Sequence, residues 1–188
     1  MIGRISLALL LAAGLAAGVR AQDAGTLVID VDGQVKGTIE IALNPEAPKH
    51  AERLKELARA GAYDGVVFHR VIDGFMAQTG DVEFGTRAAF PEGRAGTGGS
   101  DLPDLPAEFS DTPFERGTVG MARAQDPNSA NSQFFLMFAD GDFLNGQYTV
   151  VGRVTSGQEV VDAIRRGEGA NGSVSDPDWM ASVRVKGE

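Results

Sequence analysis

Apolar and polar positions alternate along residues 26–31 and 36–43, the second run setting Thr38, Glu40 and Ala42 against Ile39, Ile41 and Leu43. A period of two predicts strands, and Asp32-Gly33 between them is a hairpin signal. After Asn44-Pro45 the period lengthens to that of a helix over residues 48–60, with Pro48 in its first turn and Gly61 as its stop. Ala51, Leu54, Leu57 and Ala58 fall on one face, while Lys49, Glu52, Arg53, Lys55, Glu56 and Arg59 are expected to face water. Residues 66–72 return to a strand pattern, Phe68, Arg70 and Ile72 on one face and Val67, His69 and Val71 on the other. Both faces are largely apolar, so Arg70 meets hydrophobic ground either way, and an unpaired buried charge is costly. The chain then turns at Asp73-Gly74 into an apolar tip, Phe75-Met76, followed by Gln78.

Residues 82–117 are of another kind, with Gly85, Gly93, Gly96, Gly98 and Gly99 interspersed with Pro91, Pro103, Pro106 and Pro113. They read as a long ordered loop, a feature that compact domains usually keep for function. Strands are expected at 118–123, 133–138, 148–155 and 182–186, with a turn-rich stretch at 126–131. In the second of these, Phe134 and Leu136 alternate with Phe135 and Met137, so one pair should pack inward and the other look outward. A short helix is expected over 159–166, with Val160, Ala163 and Ile164 inward, Arg165 and Arg166 near its negative end and Gly167 as its cap. About eight strands and two helices, without a βαβ rhythm or an internal repeat, indicate an antiparallel barrel or sandwich with helices at its ends.

The 188 residues, 43% hydrophobic, suffice for one domain with a core of its own. The first residues change that picture. One positive charge in 1–4, an apolar run over 5–19 and the small Ala21 have the order of a secretory signal peptide cleaved after Ala21, which leaves 22–188 as the mature domain. An uncleaved anchor is the alternative, but the run falls short of the ~20 residues a spanning helix needs. Loss of Arg4 and Arg20 with this segment takes the net charge from −9 to −11. An acidic chain without a basic block does not suit nucleic acid. No cysteine is present, which excludes a disulfide scaffold and cysteine-linked lipids.

Other chemistries lack their residues. His50 and His69 lie in unrelated elements without metal-ligand spacing. Asp140-Gly-Asp142 opens like a calcium loop, but the glycine comes late, at Gly146, and Val151 takes the place of the closing glutamate, so it reads as a turn. Gly96–Ser100 has no lysine after it and reads as a simple glycine loop. No G-x-S-x-G elbow occurs, and His69 reads as a hydrogen-bonded structural residue rather than a general base.

The stretch FHRVIDGFMAQTGD, residues 68–81, resembles the signature of the cyclophilins, which are peptidyl-prolyl cis-trans isomerases. SQFF at 132–135, and FLNG at 143–146 before the VVGRV strand at 150–154, resemble the next two family signatures in order and spacing. The resemblance runs from Thr26 to Val185 and implies a closed eight-stranded antiparallel β-barrel capped by two α-helices. It implies that Arg70 is the catalytic arginine, that Phe75, Met76, Phe135 and Leu144 receive the proline ring, and that Gln78 holds the arginine and the substrate backbone. Gln133 and the backbone of Ala122, Arg123 and Ala124 would bind the residues preceding the proline.

Phe143 stands where many eukaryotic members have tryptophan, Tyr148 where many have histidine and Arg123 where many have asparagine. These changes resemble bacterial members and imply weak cyclosporin binding, since the indole N–H donor is missing. The reading implies no cofactor or metal, a monomer, and proline-containing segments of unfolded or exported proteins as partners, in the periplasm. A non-catalytic chaperone or proline-peptide binding module is the alternative.

Overall fold

The computed structural model describes residues 24–188, so the expected signal segment at 1–21 lies outside the described residues. Strands β1 (Thr26–Asp32) and β2 (Gly37–Leu43) form the expected antiparallel hairpin, with Ile29 opposite Ile39. They belong to one eight-stranded sheet with β3 (Arg70–Ile72), β4 (Met76–Thr79), β5 (Thr118–Met121), β6 (Phe134–Met137), β7 (Val150–Ser156) and β8 (Trp179–Val185). The order across it is β3-β4-β6-β5-β7-β2-β1-β8, and every neighbouring pair is antiparallel.

The expected closed barrel is corrected to a curled, open sheet, because its two edge strands, β3 and β8, are not laddered together. Strand β3 is only three residues long, and the residues before it leave the strand line. Phe68 N–H donates to Asp178 O (2.9 Å) and Met180 N–H to Val66 O (2.9 Å), but Val67 N–H turns to Gly85 O (2.8 Å). What spans the seam is a single isolated bridge between Val67 and Trp179. The same departure breaks the expected alternation: Phe68 joins Val71 in the main core instead of sharing a face with Arg70 and Ile72.

The inner face of the sheet buries Leu27, Ile29, Ile39, Ile41, Phe134 and Leu136 against α1 (Pro48–Arg59), which contributes Leu54 and Leu57. On the other face, Met76, Phe114, Phe135, Met137, Leu144 and Val150 form a second apolar cluster. Phe134 and Leu136 thus alternate with Phe135 and Met137 as expected, but the outward pair is also buried.

Helix α1 departs from its pattern at Arg53, which was expected in water and is only 7% exposed. Its Nη1 donates to Asn131 O (3.2 Å) and its Nη2 to Pro103 O (2.7 Å), tying the helix to the long loop. Helix α2 (Gln158–Ala163) stops short because Ile164 is extended (φ −51°, ψ 133°), and Ala163 is exposed rather than inward. Arg165 and Arg166 therefore lie beyond the helix and pair with Asp176 and Asp73. Gly167 is not a cap but a close approach, since a Cβ there would sit 1.9 Å from Gly172 O. Among the described residues no helix is long and apolar enough to cross a membrane.

The long loop is held from its start by Asp81, which is fully buried. Its Oδ1 accepts the N–H groups of Glu83 (3.1 Å) and Phe84 (2.9 Å), and its Oδ2 those of Gly96 (2.7 Å) and Gly98 (3.0 Å). Asp81→Ala leaves four backbone donors unmatched and should cost more than about 3 kcal/mol, because each bond to a charged acceptor counts for more than a neutral one. A lowered urea midpoint and new proteolytic cleavage within residues 83–98 are the expected readouts.

Candidate functional site

Sheet register sets four residues in one line across adjacent strands. Arg70 on β3 lies opposite Gln78 on β4, Gln78 opposite Phe135 on β6, and Phe135 opposite Gly120 on β5. Directly opposed residues share a face, so this line carries a cation, an amide, an aromatic ring and a gap. The gap is required: a Cβ on Gly120 would lie 2.4 Å from Phe135 Cζ and 2.6 Å from Phe114 Cε1. Without it the Phe135 ring lies down over β5, stacked on Phe114 (5.8 Å, 20°) and edge-on to Tyr148 (5.9 Å, 83°).

The arginine is held by neutral acceptors. Arg70 Nε donates to Asn171 O (3.0 Å) and Nη1 to Gln78 Oε1 (3.1 Å), while Nη2 has no partner among the described residues. Gln78 Nε2 donates to Gln133 Oε1 (2.9 Å), and Gln133 Nε2 donates to Gly98 O (2.8 Å). A relay of amides thus runs from the long loop to the guanidinium.

Beside the arginine is an open compartment of about 410 Å³ with apolar side chains, Phe75, Met76, Phe135, Leu144 and Tyr148, on part of its wall and Arg70, Gln78, Arg123 and Gln147 on the rest. Phe143, 64% exposed, stands on its rim 5.4 Å from Phe75. A second, polar compartment of about 470 Å³ adjoins it, lined by residues 96–100, Asn131 and Gln133. Gln78, Ala122 and Arg123 line both, so the two form one groove with a waist.

Residues 26–185 match the family model described as cyclophilin type peptidyl-prolyl cis-trans isomerase/CLD. The chain belongs to this family. A probable peptidyl-prolyl cis-trans isomerase from Brucella suis is 60% identical over 155 residues, covering 81% of this chain and 79% of that one. A peptidyl-prolyl cis-trans isomerase from Streptomyces antibioticus is 38% identical over 148 residues, 69% of this chain and 78% of that one. Among solved structures, a cyclophilin from Hirschia baltica is 28% identical with a TM-score of 0.70, covering 85% of this chain and 73% of that one. A Cryptosporidium parvum cyclophilin, solved in the presence of the dipeptide Ala-Pro, shares the fold at a TM-score of 0.72 and 23% identity, covering 87% of this chain and 99% of that one. The chain is thus a peptidyl-prolyl cis-trans isomerase.

In this cyclophilin the fold brings Arg70, Phe75, Met76, Gln78, Ala122, Arg123, Phe135, Phe143, Leu144 and Tyr148 around one compartment. Gln133 and Ala124 lie in the adjoining one. Sequence reasoning missed Asn171, whose contribution is a backbone carbonyl that no side-chain pattern announces. It also passed over Gly96–Ser100, which forms a wall of the second compartment.

His69 needs correcting. It is buried as a structural residue would be, but neither ring nitrogen makes a hydrogen bond of good geometry among the described residues, and its one weak interaction is with the backbone of Val67, so the bonding is poorer than expected. Burial first, then opposed by the charge of Asp81 and aided by that of Arg70, pushes its pKa down to about 4. Unfolding restores an ordinary value near 6.5, so the unfolded state binds the proton first and stability falls as pH drops from about 6.5 through 4. The loss attributable to this residue is about 3 kcal/mol at most. A His69→Gln variant should lose less stability than the parent across that window in pH-dependent urea titrations. Separately, Gly120→Ala should destabilise by about 1–3 kcal/mol through overpacking and tilt Phe135, visible as shifted Phe135 ring resonances.

Proposed function

We propose that this isomerase works by donating a hydrogen bond from Arg70 to the nitrogen of a proline seated in the compartment beside it, and that it serves exported polypeptides. Rotation about a peptide bond faces about 18–20 kcal/mol, and an X–Pro bond isomerises unaided in tens to hundreds of seconds. Reaching milliseconds requires roughly 10⁴–10⁵-fold, or about 5–7 kcal/mol of preferential binding to the twisted state. In that state amide resonance is lost, and the nitrogen lone pair becomes an acceptor. A guanidinium cannot lose its proton, so it remains a donor throughout.

The observation that carries the reading is the unsatisfied Nη2 of Arg70 beside the compartment floored by Phe135. Asn171 O and Gln78 Oε1 fix Nε and Nη1, so the plane of the guanidinium is set before a twisted amide meets Nη2. A seated proline ring, packed on the apolar part of the wall, displaces water from beside that hydrogen bond and strengthens it. Residues preceding the proline would cross the waist at Ala122–Ala124 into the second compartment, where Gln133 offers an amide. The Ala-Pro dipeptide used with the Cryptosporidium relative is of this substrate class. The order of charge, apolar run and small residue within 1–21 supports export to the periplasm.

Arg70→Ala should lower kcat/KM on a proline tetrapeptide by about 10²–10³ in a protease-coupled assay, the loss seen when one preorganised donor is removed. Arg70→Lys should recover little, since an ammonium cannot bridge both acceptors and still present a free N–H in the same plane. Unchanged turnover in a folded Arg70→Ala protein would overturn the mechanism. Protein recovered from the cell envelope should have a mass beginning at Gln22; a mass retaining Met1 would overturn cleavage.

A further inference from the structure

The second cation of the groove, Arg123, is positioned but not neutralised. Its Nε and Nη2 donate to Gln147 O (3.3 and 2.9 Å), and its Nη1 to Ala124 O (2.9 Å) and Gln125 O (3.2 Å). Its guanidinium carbon lies 4.3 Å from the centre of the Tyr148 ring. No carboxylate among the described residues pairs with it, whereas Arg59, Arg116, Arg153, Arg165, Arg166 and Arg184 each have one. Neutral carbonyls and an aromatic face fix where the charge sits and leave its field intact.

Arg70 is held in the same way, so the proline compartment has two guanidinium charges and no carboxylate on its walls, in a chain of net charge −9. Asp104 lines only the second compartment, where it accepts Asn131 Nδ2 (2.9 Å). An acidic substrate side chain is therefore favoured beside Arg123 and opposed further along the groove. Ordinary solvation of an exposed cation does not account for four bonds that hold it at the waist, and holding it beforehand removes part of the ordering cost of a partner.

We propose that Arg123 is a specificity-determining residue that makes this enzyme favour an acidic residue immediately before the proline. The inference rests on the reading above, in which residues preceding the proline pass over Ala122–Ala124. Attraction for glutamate and repulsion of lysine at a partly exposed site should together separate the two by roughly tenfold at low ionic strength.

The test is a protease-coupled assay of the mature protein on succinyl-Ala-Glu-Pro-Phe-4-nitroanilide and its Ala-Lys-Pro-Phe and Ala-Ala-Pro-Phe counterparts. The expected order of kcat/KM is glutamate, alanine, lysine, with the glutamate-to-lysine ratio shrinking in high salt. Arg123→Gln should bring that ratio close to one, Arg123→Lys should retain most of it, and Arg123→Glu should invert it. A ratio near one in the parent, with the alanine peptide turned over, overturns the preference and leaves the isomerase reading standing. A ratio unchanged in Arg123→Gln also overturns it. Turnover of none of the three would sink the isomerase reading instead, and the preference is then decided by NMR titration of the same peptides, equal affinities overturning it.

Discussion

The groove depends on holding a guanidinium in place beside aromatic rings without a countercharge. Arg70 meets a carbonyl and an amide oxygen rather than a carboxylate. A carboxylate would hold it more strongly, but would also draw off the field that, in the proposed mechanism, acts on a twisted prolyl nitrogen. Neutral matching makes further demands. Gln78 must present its oxygen to Arg70, which requires its amide nitrogen to be occupied by Gln133, whose own nitrogen is occupied by Gly98. The orientation of one amide thus depends on a loop that Asp81 holds in place.

The apolar ground that made Arg70 conspicuous is not the main core. The inner face of the sheet, packed on α1, supplies stability, while the outer face carries the second cluster, which borders the compartment proposed to take proline. One strand, β6, serves both, Phe134 and Leu136 inward and Phe135 and Met137 outward. Sheet pairing then aligns the outward residues into a site, because register sets neighbours on one face.

What was legible in the sequence follows the same division. Alternation located seven of the eight strands and not β4, whose Met76–Thr79 reads as an apolar tip after a turn, while the family signatures picked out the side chains around the groove. Glycine and proline spacing marks the long loop as ordered, but Gly96–Ser100 reads only as a simple glycine loop, because a wall made of main chain leaves no side-chain pattern. Arg53 was placed in water on helical period alone; its burial comes from carbonyls of Pro103 and Asn131, far away in the chain. The short α2 and the open seam at β3 were hidden for a related reason. Ile164 and Phe68 look like continuations of their elements, and only tertiary contacts turn the backbone out of them.

Gly120 gives the compartment an unusual kind of floor. Phe135 rests on the vacancy left by a missing side chain and on the face of Phe114, which is wholly buried on the far side. If a proline ring sits on Phe135 as proposed, the depth available to it is set by a residue that lies outside the compartment. Natural variation or engineering at position 114 could reshape the seat from beneath, leaving every substrate-facing atom chemically unaltered. Two cyclophilins with identical visible grooves would then differ in what fits them.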